Sequence, residues 1–178
     1  MFKEYLLSAK SNNTLVSINT DNEVTEDILY GFVQGVSDDW VLLAIVSESG
    51  FYEGFIIIKC EDIFRCESKD KYSESVHKLY QLRKQKHPIL DLTSGNLLGD
   101  IIQYAQKNQL VVAIELHDST YDDLIGFIGD IKDDLITIEQ LDGFGNADGE
   151  SVILFEDISR VDCDTDTEMI LKLLADNR

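Results

Sequence analysis

A chain of 178 residues with 44% hydrophobic content can fold as one ordinary domain or two small ones, and its composition excludes disorder as the default. Its longest apolar runs, Trp40 to Val46 and Phe55 to Ile58, are strand-sized and far short of the roughly 20 residues a membrane helix needs. The formal net charge of −19 is uneven: residues 1–89 carry 10 basic and 14 acidic side chains, residues 90–178 carry 5 and 20. Such a second half repels phosphate backbones, whose affinity comes largely from Lys and Arg, so direct nucleic-acid binding there is disfavoured.

In chain order, Met1-Phe2-Lys3-Glu4-Tyr5-Leu6-Leu7 lacks the cationic start and long apolar core of a signal peptide, which predicts a cytoplasmic protein with no membrane partner. Phe2, Tyr5, Leu6 and Ala9 have helical spacing. Five short strands are predicted next, at Leu15–Thr20, Ile28–Val36, Trp40–Val46, Phe55–Cys60 and Ile63–Glu67, separated by turn residues. Gly31 and Gly35 inside the second strand predict a bend. A closing helix carries Tyr72, Val76, Leu79 and Tyr80, and Pro88 stands just past it, where a helix cannot continue. Residues 88–96 read as a linker between a first module at 1–87 and a second, strongly acidic one at 97–178.

The second module repeats the first. Slid along itself by 95 residues, the chain matches itself without a gap from residue 13 to 66. Asn13, Leu15 and Val16 fall on Asn108, Leu110 and Val111, and Asp27-x-Leu29-x-Gly31-Phe32 on Asp122-x-Leu124-x-Gly126-Phe127. Asp38-Asp39 falls on Asp133-Asp134, and Glu61-Asp62-Ile63-x-Arg65 on Glu156-Asp157-Ile158-x-Arg160. A leading helix with Leu98, Ile101, Ile102 and Ala105 and a closing one with Met169, Ile170, Leu173 and Leu174 complete the second copy. Two copies are too few for a solenoid, so each is expected to be a domain.

The string Gly31-Phe32-Val33-Gln34-Gly35-Val36-Ser37-Asp38-Asp39-Trp40-Val41-Leu42-Leu43 is similar to the first Sm motif, and the Glu61-Asp62-Ile63 turn resembles those of many small barrels. The resemblance to the Sm/Lsm and SH3-like group implies a mainly β fold with flanking helices: two five-stranded barrels in tandem, each with an N-terminal and a C-terminal helix. It does not extend to the RNA site of Sm proteins. Where an Asn contacts the base, this chain has Trp40 and Leu135; where a basic element closes the pocket, it has Lys59-Cys60-Glu61-Asp62 and Leu154-Phe155-Glu156-Asp157.

The candidate constellations are modest. Asp38-Asp39 and Asp133-Asp134 are carboxylate pairs that tight polar turns also favour. Asp142 to Glu150 has alternating oxygen ligands but not the spacing of a calcium loop. Cys60, Cys66 and Cys163 have no CxxC spacing, and the first two align with Phe155 and Val161, so they read as small buried hydrophobes. The run His77-Lys78-x4-Arg83-Lys84-Gln85-Lys86-His87 is the one basic patch, placed where cations complement a helix dipole. No phosphate loop, cofactor motif, metal-ligand spacing or nucleophile–base set is in register, so neither a cofactor nor catalysis is expected.

The largest difference between the copies is apolar. Leu42, Ala44, Ile45, Phe51, Phe55 and Ile56 align with Thr137, Glu139, Gln140, Asn146, Glu150 and Ser151. Since alternate strand residues face opposite ways, the first copy has a second apolar face. Trp40, Leu42, Phe51, Tyr52 and Phe55 are its candidate partner-binding residues, for a protein partner or a homodimer. The candidate acidic surface is Asp122, Asp123, Asp130, Asp133, Asp134, Asp142, Asp148 and Glu150. The expected function is a non-catalytic adaptor or inhibitor whose acidic copy imitates nucleic acid or docks on a basic, for instance nucleic-acid-binding, protein. The competing expectation is an Sm-like module that binds RNA or a small nucleotide through the first copy and its basic helix.

Overall fold

In each half, apolar spacing passes from helical to alternating and back, and the chain follows it. The computed structural model describes residues 2–20, 28–117 and 123–177, and the chain divides into two units, Met1–Leu98 and Gly99–Arg178.

In the first unit, α1 (Lys3–Ser11) buries Leu6 and Ala9 and gives way at Asn13, whose positive φ of 49° is one that Asn tolerates. Five strands follow: β1 (Leu15–Asn19), β2 (Ile28–Val36), β3 (Trp40–Val46), β4 (Tyr52–Lys59) and β5 (Arg65–Ser68). Leu6 and Ala9 pack on Val16, Ile18, Val33, Val41, Leu43, Ile45, Ile56 and Ile58, which line one face of the sheet. The other face is closed by α2 (Lys71–Leu82), whose Val76 and Tyr80 cover Leu15, Tyr30, Phe32 and Val46. Asp70 caps α2: its Oδ1 accepts from the Tyr72 and Ser73 amides at 2.9 and 3.0 Å.

The second unit repeats the order with α3 (Leu97–Lys107), β6 (Val111–Leu116), β7 (Leu124–Lys132), β8 (Leu135–Leu141), β9 (Ala147–Leu154), β10 (Ile158–Cys163) and α4 (Asp166–Asp176). Ile101, Ile102 and Ala105 of α3 are wholly buried. Gly31 and Gly126 are required where β2 and β7 cross their neighbours: a Cβ would stand 2.8 Å from the Ala44 carbonyl oxygen in one and 2.1 Å from that of Glu139 in the other.

Three expectations need correction. The strands form open antiparallel sheet, not two closed five-stranded barrels. Strand order is β5-β1-β2-β3-β4 in the first unit and β10-β6-β7-β8-β9 in the second. The 3-10 turns at Cys60–Asp62 and Phe155–Asp157 return the chain to the far side of that order, where β5 pairs with β1 and β10 with β6. Glycine bends and acidic turns curl a sheet; closure needs a ladder between the two outer strands as well.

The second correction is one of register. β2–β3 and β7–β8 pair identically at the 95-residue offset, Phe32 with Ala44 and Phe127 with Glu139. The first strands do not. Val16 faces Gly31, whereas Val112, not Val111, faces Gly126, so the leading helix and strand align at 96. The matches of Asn13, Leu15 and Val16 to Asn108, Leu110 and Val111 are therefore not structural equivalences; a slip of one would turn every side chain to the other face.

Third, α4 does not bury the residues expected. Glu168 and Leu171 point inward, while Met169, Ile170, Leu173 and Leu174 are exposed. Among the described residues, no helix is long and apolar enough to cross a membrane.

Candidate functional site

The first copy's candidate partner surface is covered in part by the chain itself. Leu42 and Phe55 have no exposed area, so the expectation that they meet a partner is corrected: their apolar surface is already covered. Tyr52 packs edge-on against Phe55, with ring centroids 5.7 Å apart. Phe51, on the hairpin tip, stays 42% exposed. The Arg83 guanidinium lies 4.2 Å over its ring, and Arg83 Nε donates to the Ser49 carbonyl at 2.8 Å. Trp40 is half-buried, with Lys59 Nζ 5.6 Å from its ring centroid.

His87, expected at the edge of a linker, instead completes an aromatic cluster. Its ring stacks 5.3 Å from Phe32, its Nδ1 lies 2.9 Å from the Tyr80 hydroxyl and its Nε2 3.1 Å from Gln34 Nε2. Burial holds its pKa below the usual imidazole range. His77 meets Phe32 edge-on at 5.2 Å. Three members of the basic run thus serve the first unit's own packing.

At the same places the second copy is open. Tyr52 and Tyr80 are replaced by Ala147 and Ala175, and the buried pair Ala44–Phe55 by Glu139–Glu150, directly opposite on β8 and β9. The surrounding packing persists: Lys172 stands 5.8 Å over Phe127 as His77 stands against Phe32, and it bonds Asp176 at 2.8 Å. Two clefts of about 400 and 480 Å³ result, both lined by Phe127 and Glu139. Like charges directly opposite on paired strands repel, so the Glu139–Glu150 pair costs stability and favours a cation between or above the carboxylates.

Around this region the sequence-selected acids lie on the surface. Asp123, Asp130, Asp133, Asp134, Asp148 and Glu150 are exposed; Asp122 lies outside the described residues. Asp142 is half-buried and serves the hairpin, its Oδ1 accepting from the Phe144 and Asn146 amides at 2.9 and 2.7 Å. That geometry is an Asx turn rather than a cation loop. The carboxylate pairs on the other hairpins also act locally: Asp38 bonds Lys3 at 2.5 Å, which lowers its pKa, and Asp133 occupies the positive-φ turn position at 53°.

Burial decides the chemistry of the remaining groups. It pushes the Cys66 thiol up to about 12 and raises that of Cys163 as well, so neither is a ready thiolate at neutral pH. Glu168 is buried at the start of α4, where it accepts from the Thr165 amide at 3.2 Å and from the Thr165 hydroxyl; burial raises its pKa. Among the described residues, no three His, Cys, Asp or Glu side chains converge as metal ligands.

Sequence reasoning noticed Glu139 only as a lost apolar residue, and missed Ala147, Lys172 and Ala175. Their signal was available: the self-alignment shows two tyrosines becoming alanines in the same copy that gains facing carboxylates. Compared with protein families, curated proteins and solved structures, the chain matches none.

Proposed function

We propose that the protein is a non-catalytic binding protein of the cytoplasm whose second copy docks a basic partner protein. One observation carries the reading: the pair that is Ala44–Phe55 and fully buried in the first copy is Glu139–Glu150 and exposed in the second, where both line one open cleft. Nothing in the packing of that unit needs two facing carboxylates there. Exposed Asp130, Asp133, Asp134 and Asp148 extend the negative field, and such fields steer oppositely charged partners.

The test is titration of the full chain with a polylysine peptide, compared with single-stranded RNA. Polylysine should bind, and the Asp130→Lys/Asp134→Lys variant should weaken it about tenfold, a difference near 1.4 kcal/mol. The same number of reversals in the first copy, Glu61→Lys/Glu74→Lys, should change affinity far less. Equal loss from both variants would refute a site on the second copy. RNA binding tighter than polylysine would move the function to the first copy and its basic helix.

A further inference from the structure

We infer that the outward face of α4 is a docking ridge for a basic amphipathic segment of another protein. Met169, Ile170, Leu173 and Leu174 follow one another at helical spacing and are 41%, 52%, 65% and 44% exposed. Packing accounts for Leu174, whose Cβ lies against Gly145 as that of its counterpart Leu79 lies against Gly50, but not for the other three. α2 sits on its own sheet in the same way, yet at the positions of Met169, Ile170 and Leu173 it carries Glu74, Ser75 and Lys78, all exposed. The helix therefore needs no apolar side chain there to hold its place, and its inward anchoring comes from Glu168 and Leu171. A contiguous apolar stripe in water, at roughly 25 cal/mol per Å² of coverable surface, marks an interface.

Charge selects what covers it. The stripe is flanked by exposed Asp166 at one end and by the Lys172–Asp176 ion pair at the other. The unit's remaining surface carries Glu139, Glu150 and the exposed aspartates described above. A second copy would bring a net charge of −19 against −19 and be repelled. A segment with apolar residues at helical spacing and Lys or Arg on its flanks satisfies both the stripe and its rim, in the manner of helix-in-groove recognition. The partner's positive charge rests on the reading proposed above; the place of docking rests on α4 alone.

The probe is a peptide of about 15 residues with Leu at i, i+3, i+4 and i+7 spacing and Lys elsewhere, titrated calorimetrically into the full chain at physiological salt. A scrambled peptide of the same composition and a Leu/Glu peptide serve as controls. The Leu/Lys helix should bind at least tenfold more tightly than either. M169Q/I170S/L173Q, which leaves the charge unchanged, should remove that advantage without lowering the thermal midpoint, because the side chains are exposed. If this variant binds the helix as wild type does while Asp130→Lys/Asp134→Lys weakens it, the ridge is wrong and the acidic reading stands. If neither variant matters, both fail. A wild-type dimer in sedimentation that M169Q/I170S/L173Q dissociates would seat a second copy on α4 and overturn the assignment.

Discussion

The first copy buries both faces of its sheet; in the second, α4 covers the second face at β6 and leaves it open at β8 and β9. In the first, Phe32, Val46, Val76 and Tyr80 close the face beneath α2, with Phe55 buried beside Tyr52. In the second, the same backbone register presents Glu139, Ala147 and Glu150. The hydrogen-bonded frame tolerates both because strand pairing is set by backbone and core face, while the opposite face is free to vary. One copy therefore concentrates apolar burial, and the other concentrates charge.

Truncation at the aligned positions should break this comparison most sharply if it is wrong. Phe55→Ala should cost about 3–5 kcal/mol by urea denaturation, as removal of a buried ring does. Glu150→Ala, aligned with it, should stay within about 0.5 kcal/mol or stabilise slightly by relieving the repulsion with Glu139. Comparable losses at the two sites would mean the second copy's face is also core.

The helix starts sharpen the contrast. At aligned positions Asp70 and Ser73 begin α2, whereas Thr165 and Glu168 begin α4, so acid and hydroxyl have exchanged places. Hydrogen bonds from Ser73 lower the pKa of Asp70, and burial raises that of Glu168. A lowered carboxylate gives stability above its unfolded pKa that is lost as pH falls through the folded one. A raised one gives stability below its unfolded pKa that is lost as pH rises. Acidification from neutrality should thus strengthen the α4 start before it weakens that of α2. Asp70→Ala should cost about 1 kcal/mol at neutral pH and little in strong acid. Glu168→Gln should flatten the loss that otherwise appears as pH rises above the carboxylate range, followed by amide exchange in α4.

A smaller effect belongs to His87. Its lowered pKa means the unfolded chain takes up the proton first, so stability is full above pH 6.5, the ordinary value, and declines below it. The thermal midpoint should fall between pH 7 and 5, and His87→Gln should reduce that slope; an unchanged slope would remove His87 from the cluster's energetics. The smallest effect is at Lys172–Asp176, a helical pair whose loss in Asp176→Asn should cost about 0.3–0.5 kcal/mol.

Much of the fold was legible. Strand-length apolar runs bounded by turn residues, such as Trp40 to Val46 between Ser37-Asp38-Asp39 and Ser47-Glu48-Ser49-Gly50, placed β2 and β3 at their observed ends. The repeat was legible too, but its first segment was read one residue out of step. Asn13, Leu15 and Val16 match both helix-end chemistry and a generic strand start, and only the ladder to Gly31 or Gly126 fixes the register. Closure was not legible, since it depends on pairing between strands distant in sequence. Nor was the orientation of α4: a hydrophobic stripe normally faces the core, and Met169, Ile170 and Leu173 form the better stripe by pattern. The open site was half visible, in its acids, while its alanines gave no signal without the first copy beside them.

An open sheet has ends, and ends invite other chains to add strands. In the first unit β5 is a terminal strand of its order, and in the second β9 is. β5 is only four residues long and carries Arg65 and Glu67, which pair with each other at 2.6 Å. β9 runs longer but opens with Asp148 and Glu150, exposed around Gly149. A strand adding to β9 from an identical molecule would set these carboxylates against their own kind. The same acids that we propose receive a basic partner place like charges along that border, which opposes fibrous self-association, so in this proposal one set of side chains serves both recognition and colloidal stability.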